Sequence, residues 1–64
     1  MIPSGKILRQ LQKDFKVSVA ELSRRTKIAP ASIFRAFKDV ETKDSTRILL
    51  YLAITEPDLF EHFK

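Results

Sequence analysis

The sequence predicts an all-α fold, a compact bundle of four to five short helices. Three observations carry that prediction. Apolar residues recur at helical spacing in several separate segments. Helix-start signals, Ser18 with Glu21 and then Pro30, stand where two of those segments begin. The stretch Asp39-Val40-Glu41-Thr42-Lys43-Asp44 between two segments has no apolar period and reads as a loop. With 64 residues the chain is one domain, 1–64, and its core is marginal because short chains bury a lower fraction of their surface. Cysteine is absent, so stability has to come from helix packing or from association with another subunit.

Ser4 is placed to cap the first helix, which runs to Phe15. Leu8, Leu11 and Phe15 share a stripe that Ile7 widens, while Lys6, Arg9, Lys13 and Lys16 cover the other sides. This helix is core support, with Arg9 and Lys13 as its nearest candidates for a phosphate. The second helix starts at a capping box: the Ser18 hydroxyl accepts from the Glu21 amide, and the Glu21 carboxylate reaches back to the Ser18 amide. Leu22 with the methyls of Ala20 and Thr26 forms its buried side. Ile28 plugs the turn that follows.

Pro30 suits the first turn of a third helix, where its missing N–H would have no partner anyway. Ala29 before it offers no capping oxygen, at a cost of roughly 1 kcal/mol against Ser or Asp. At about 100° per residue, Ile33, Ala36 and Phe37 face the core. Ala31, Ser32, Arg35 and Lys38 fall opposite, with Phe34 on the border. Asp44 or Ser45 then caps a helix through Thr55 that holds Ile48-Leu49-Leu50-Tyr51-Leu52-Ala53-Ile54, apolar almost all round. A surface helix usually keeps a polar face, so this one needs a cover. Pro57 opens a last short helix, with Asp58 near its positive end and Lys64 near its negative end, as the helix dipole favours. Leu50, Ile54, Leu59, Phe60 and Phe63 are the candidate surface for a two-fold contact with a second copy, the alternative being a fully intramolecular core.

The net charge of +4 is unevenly placed. Residues 1–47 hold eleven Lys/Arg against five Asp/Glu, a net of +6, and residues 48–64 hold one Lys against three acids, a net of −2. A polyanion is drawn to one end of such a domain. Catalysis finds no footing. His62 is the single histidine, no cysteine completes a zinc set, and no carboxylates are spaced to share a pocket. Ser4-Gly5-Lys6 resembles a phosphate loop only in passing, since the preceding glycine and strand are missing. The expectation is no enzyme, no metal and no cofactor. No apolar run approaches the ~20 residues needed to cross a bilayer and no signal peptide is visible, so a soluble cytoplasmic protein without membrane contact is expected.

Residues 18 to 38, Ala-Glu-Leu-Ser-Arg-Arg-Thr-Lys-Ile and then Ser-Ile-Phe-Arg-Ala-Phe within them, resemble the helix-turn-helix of the lambda-repressor/Cro (XRE-like) family of phage and bacterial regulators. They are close to its small antitoxin-like members. Lys27 stands where that family usually has Gly and must take positive φ; Ser23 stands where Ala is frequent. The resemblance covers nearly the whole chain and implies a lambda-repressor-like DNA-binding domain. It implies a transcriptional repressor that binds a palindromic double-stranded DNA operator as a homodimer, with a toxin or phage protein as a further partner. On the residues themselves, Arg35 is the candidate for a bidentate contact to guanine. Pro30, Ala31, Ser32 and Phe34 complete the base-contacting set, Ala31 and Phe34 against thymine methyls. Ser18, Lys38, Lys43 and Arg47 are the candidate phosphate contacts. Two other classes stay open, a protein-interaction adaptor and a nucleic-acid-binding module without sequence preference.

Overall fold

In the computed structural model, which describes residues 2–61, serine hydroxyls start the first two helices. Ser4 caps α1 (Gly5–Asp14), its Oγ accepting from the Ile7 amide at 3.3 Å. Ser18 caps α2 (Val19–Thr26), its Oγ accepting from the Glu21 amide at 3.0 Å. The other half of the expected box is not formed, because the Glu21 carboxylate is engaged by Arg24 and Arg25 instead. α3 (Pro30–Phe37) begins at its proline with no side-chain bond from Ala29. α4 (Asp44–Thr55) and the short α5 (Asp58–Glu61) complete an all-helical chain with no strand among the described residues. The cap of α4 is Lys43, so neither Asp44 nor Ser45 holds that position. Asp44 is the first helical residue and favours the helix start through its charge. Lys64 lies outside the described residues.

Left-handed residues end the first three helices. After α1, the Lys16 amide reaches back to Lys13 O (3.1 Å) and the Val17 amide to Gln12 O (3.2 Å). After α3, Asp39 and Val40 repeat the pattern onto Ala36 O (3.1 Å) and Arg35 O (3.0 Å). This is the Schellman arrangement, which satisfies carbonyls that the helix leaves open. α2 ends on Lys27, at φ 64°, whose amide donates to Ser23 O.

Leu8, Leu22, Ile33, Ala36, Phe37, Leu50, Ala53 and Ile54 form one buried core, with Leu11, Val17, Val19, Ile28 and Phe60 packed at its margin. Ile33, Ala36 and Phe37 face inward as their spacing predicts. Two expectations on the first helices do not hold. Val19 packs where Ala20 was expected, and Ile7 and Phe15 are each 51% exposed, so the stripe of α1 is narrower than its sequence period. A larger correction concerns α4. It lies against α1, α2, α3 and α5, which bury Leu50, Ala53 and Ile54, whereas Ile48 and Tyr51 stay exposed, so its apolar girth is covered only in part by its own chain. Leu50 and Ile54 are spent on that core and present nothing to a second copy.

The start of α1 and the end of α3 meet backbone to backbone. A Cβ on Gly5 would fall 2.3 Å from the Ala36 carbonyl oxygen and 2.5 Å from that of Phe37. The Gly5 amide donates to Asp39 Oδ1 at 2.9 Å. Gly5→Ala should therefore lose stability at the upper end of the ~1–3 kcal/mol range of overpacked sites, seen as a lower urea midpoint at an unchanged slope.

Candidate nucleic-acid interface

The joint between α2 and α3 is residues 27–29, and side-chain hydroxyls wire it. Buried Thr26 donates from Oγ1 to Leu22 O (2.7 Å) and accepts from the Ile28 amide (3.2 Å). Ser23 Oγ donates to Ile28 O at 2.7 Å. Half-buried Ile28 is the apolar plug the sequence predicts. Short, satisfied bonds at both ends of so small a turn fix the direction in which α3 leaves α2.

The flank of α3 away from the core is free. Pro30, Ala31, Ser32, Phe34, Arg35 and the cap residue Lys38 are all exposed. Phe34 sits edge-on to Phe37, with ring centroids 6.3 Å apart, and stays nearly half open to solvent. The Arg9 guanidinium lies over the Phe37 ring, 5.4 Å from its centroid. Arg9, a candidate for a phosphate, is thereby turned toward an aromatic face.

Ser32, Arg35 and Lys43 come together across a groove of about 300 Å³ that Glu41, Thr42 and Thr46 also line. Two candidate base contacts and a candidate phosphate contact thus share one concave surface between α3 and the start of α4. Ser18 lies elsewhere, on a second open groove with Lys16, Glu21 and Arg24. The first-turn amides of α2 have no intrahelical acceptor there. Arg47 does not join the set. Its side chain is only 20% exposed, Nη2 donates to Thr42 O (3.2 Å), and Nε and Nη1 lie 3.4 Å from Asp39 and Asp44. Nη1 and Nη2 have internal acceptors, while buried Nε faces the Asp39 carboxylate without a hydrogen bond, so the side chain braces the loop and is withdrawn from a phosphate.

Three residues matter to this surface that the sequence reading passed over. Gly5 and Asp39 seat the end of α3, as described above. Arg25 ties α2 to α4: its Nη1 donates to Ala53 O and its Nε to Glu21, each at 2.9 Å. α4 has no cation in its last turn, and Arg25 supplies one from outside. The only local sign of this role was the i,i+4 spacing of Glu21 and Arg25.

Of the remaining residues expected on a dimer face, Leu59 is half exposed, Phe60 is half-buried against the core, and Phe63 lies outside the described residues. Among the described residues a further apolar surface lies elsewhere. Ile2, Pro3, Ile7, Ile48, Tyr51 and Leu52 line a groove of about 430 Å³ between α1 and α4. Among the described residues no cluster of His, Asp or Glu is arranged to hold a metal ion, and no helix is long and apolar enough to cross a membrane. No family model, curated protein or solved structure matches this chain.

The hydrogen bond from Arg24, then the charges of Arg24 and Arg25, hold the Glu21 carboxyl below its ordinary value of 4.5. A carboxyl whose folded value is depressed stabilises the fold above its unfolded value and loses that contribution as pH falls through the folded one. The melting temperature should accordingly drop below about pH 4.5. In Glu21→Gln that part of the acid limb should be flatter, with a lower plateau near pH 7, as thermal melts across pH 2–7 would read.

Proposed function

We propose that this chain is a helix-turn-helix module that binds double-stranded DNA by sequence, inserting α3 into the major groove, and that it serves as a transcriptional repressor. One observation carries the reading: the entire outward flank of α3, from Pro30 to Lys38, is exposed while its other flank is locked into the core. The major groove is wide enough to admit a helix. The small residues Ala31 and Ser32 let the start of α3 approach base edges, and Arg35 reaches forward from the next turn. Lys38 and Lys43 flank it and position the module on the phosphate backbone, while the α3 flank reads sequence. Ser18 offers the open amides of α2 to a phosphate on the other side.

Arg35 pairs with guanine through its fork, the commonest specific contact of its kind. The chain has no Asn and its Gln residues lie only in α1, so adenine is not read by the usual amide pairing. Ala31 and Phe34 meet thymine methyls. Two copies on a palindrome place their α3 helices about one turn of DNA apart. Leu50 and Ile54 take no part in such a pairing.

Selection from a random-sequence duplex pool, followed by binding titrations at two salt concentrations, tests the proposal. Enrichment of one motif supports it. Tight binding without enrichment would leave a charge-only binder, and weak binding without enrichment an adaptor. Arg35→Ala should lose ~1–3 kcal/mol at a single base position and relax specificity there; equal losses on every duplex would remove its assigned role. Lys43→Ala should weaken all duplexes alike and lower the salt slope by about one.

A further inference from the structure

We infer that Lys16 and Lys27, one at each end of α2, are a further pair of contacts to the DNA phosphate backbone; the inference rests on the DNA-binding reading above. Among the described residues four other than glycine hold left-handed backbone: Lys16 (φ 55°), Lys27 (φ 64°), Asp39 (φ 56°) and Glu41 (φ 43°). There the Cβ of an L-residue crowds its own carbonyl, a cost that glycine does not carry. For Asp39 the side chain offsets that cost, since its carboxylate accepts from Gly5 and faces Arg47.

The two lysines have no such offset. Both are exposed, and neither ammonium has a hydrogen-bond acceptor or an acidic partner among the described residues. Their turn bonds are made by backbone amides, Lys16 N to Lys13 O and Lys27 N to Ser23 O, which glycine would make equally well. Helix dipoles do not explain the choice either. Each lysine stands between the negative end of one helix and the positive end of the next, where the two effects oppose. The backbone therefore favours glycine at both positions, and the chain carries instead a cation with no internal use.

Their placement gives the external use. Lys16 lines the open groove with Ser18 and with Arg24, whose side chain is 72% exposed. Lys27 stands three residues before Pro30, where α3 begins. Cations thus bracket the helix that supports α3, and one of them stands beside the start of α3. Local backbone strain retained at a surface with no structural return is a mark of function.

Lys16→Gly and Lys27→Gly separate folding from binding because the inference moves the two in opposite directions. Each variant should melt higher, by about 4–8 °C for a domain of this size. Each should bind selected and random duplexes more weakly by the same factor and lower the salt slope by about one per lysine. Lys16→Arg and Lys27→Arg should keep the wild-type slope. Glycine variants with unchanged affinity and slope on a wild type that binds DNA would overturn this inference alone. A fall in melting temperature would also overturn it, by showing that the lysine stems pack in the fold. A wild type that binds no duplex at low salt would overturn both this inference and the reading beneath it.

Discussion

The rest of the structure depends on how closely the first residue of α1 lies against the last turn of α3. With a hydrogen in place of a Cβ, Gly5 lets its backbone rest on the Ala36 and Phe37 carbonyls, and its amide finds Asp39. Asp39 reaches that position only by turning left-handed at the end of α3, and the same carboxylate faces Arg47 on α4. Three helices therefore converge on one side chain. The Asp39 side chain is nearly half exposed, so its charge contacts contribute little on their own. The steric fit of Gly5 is the stricter requirement, because a displaced backbone carbonyl cannot rotate aside as a side chain can. Seated from behind and at its end, α3 needs no contact on its outward flank.

At its other end α3 depends on α2. Thr26 and Ser23 satisfy the turn with hydroxyls, and Arg25 pins α2 to the carbonyl of Ala53 while Glu21 holds the guanidinium from behind. The Glu21 pairs are partly solvated and each is worth little alone. Their effect is geometric: one arginine fixes the angle between the helix that supports α3 and the helix that forms the floor of the core.

Local signals carried most of the fold. Serine caps, the proline start and the spacing of Ile33, Ala36 and Phe37 all report interactions within a turn or two of chain, and the structure agrees with each. Periodicity says how wide an apolar stripe is but not how many neighbours cover it. For that reason the apolar girth of α4 did not reveal that Leu50 and Ile54 are covered from within while Ile48 and Tyr51 stay exposed. The joint of Gly5 with Asp39 spans 34 residues and leaves no trace in either local pattern; a glycine opening a helix was its one sign. Arg47 shows the same limit in reverse. Its composition marked it as a free cation, and only the folded loop reveals that Thr42, Asp39 and Asp44 already hold it.

Where the chain breaks local rules is more telling than where it obeys them. Ala29 starts α3 without a capping oxygen, at roughly 1 kcal/mol. Lys43 takes the cap position of α4 although a serine and an aspartate follow within two residues. Lys16 and Lys27 hold backbone that suits glycine. Nothing in the structure accounts for the positive φ of Glu41. Two helix starts follow the rules: Ser4 caps α1 with its own oxygen, and Ser18, beside Lys16, does the same for α2 while leaving further amides open. A domain this small has little stability to spare, and natural sequences tend to keep such local conflicts at functional sites. The conflicts here fall at the ends of α2, at the start of α3 and at the rim of the groove beside it. A surface selected only for folding would carry serine, aspartate or glycine at those positions; this one carries three lysines and an alanine. On the DNA-binding reading proposed above, the lysines attract phosphates and the alanine keeps the start of α3 slim enough to approach a base pair.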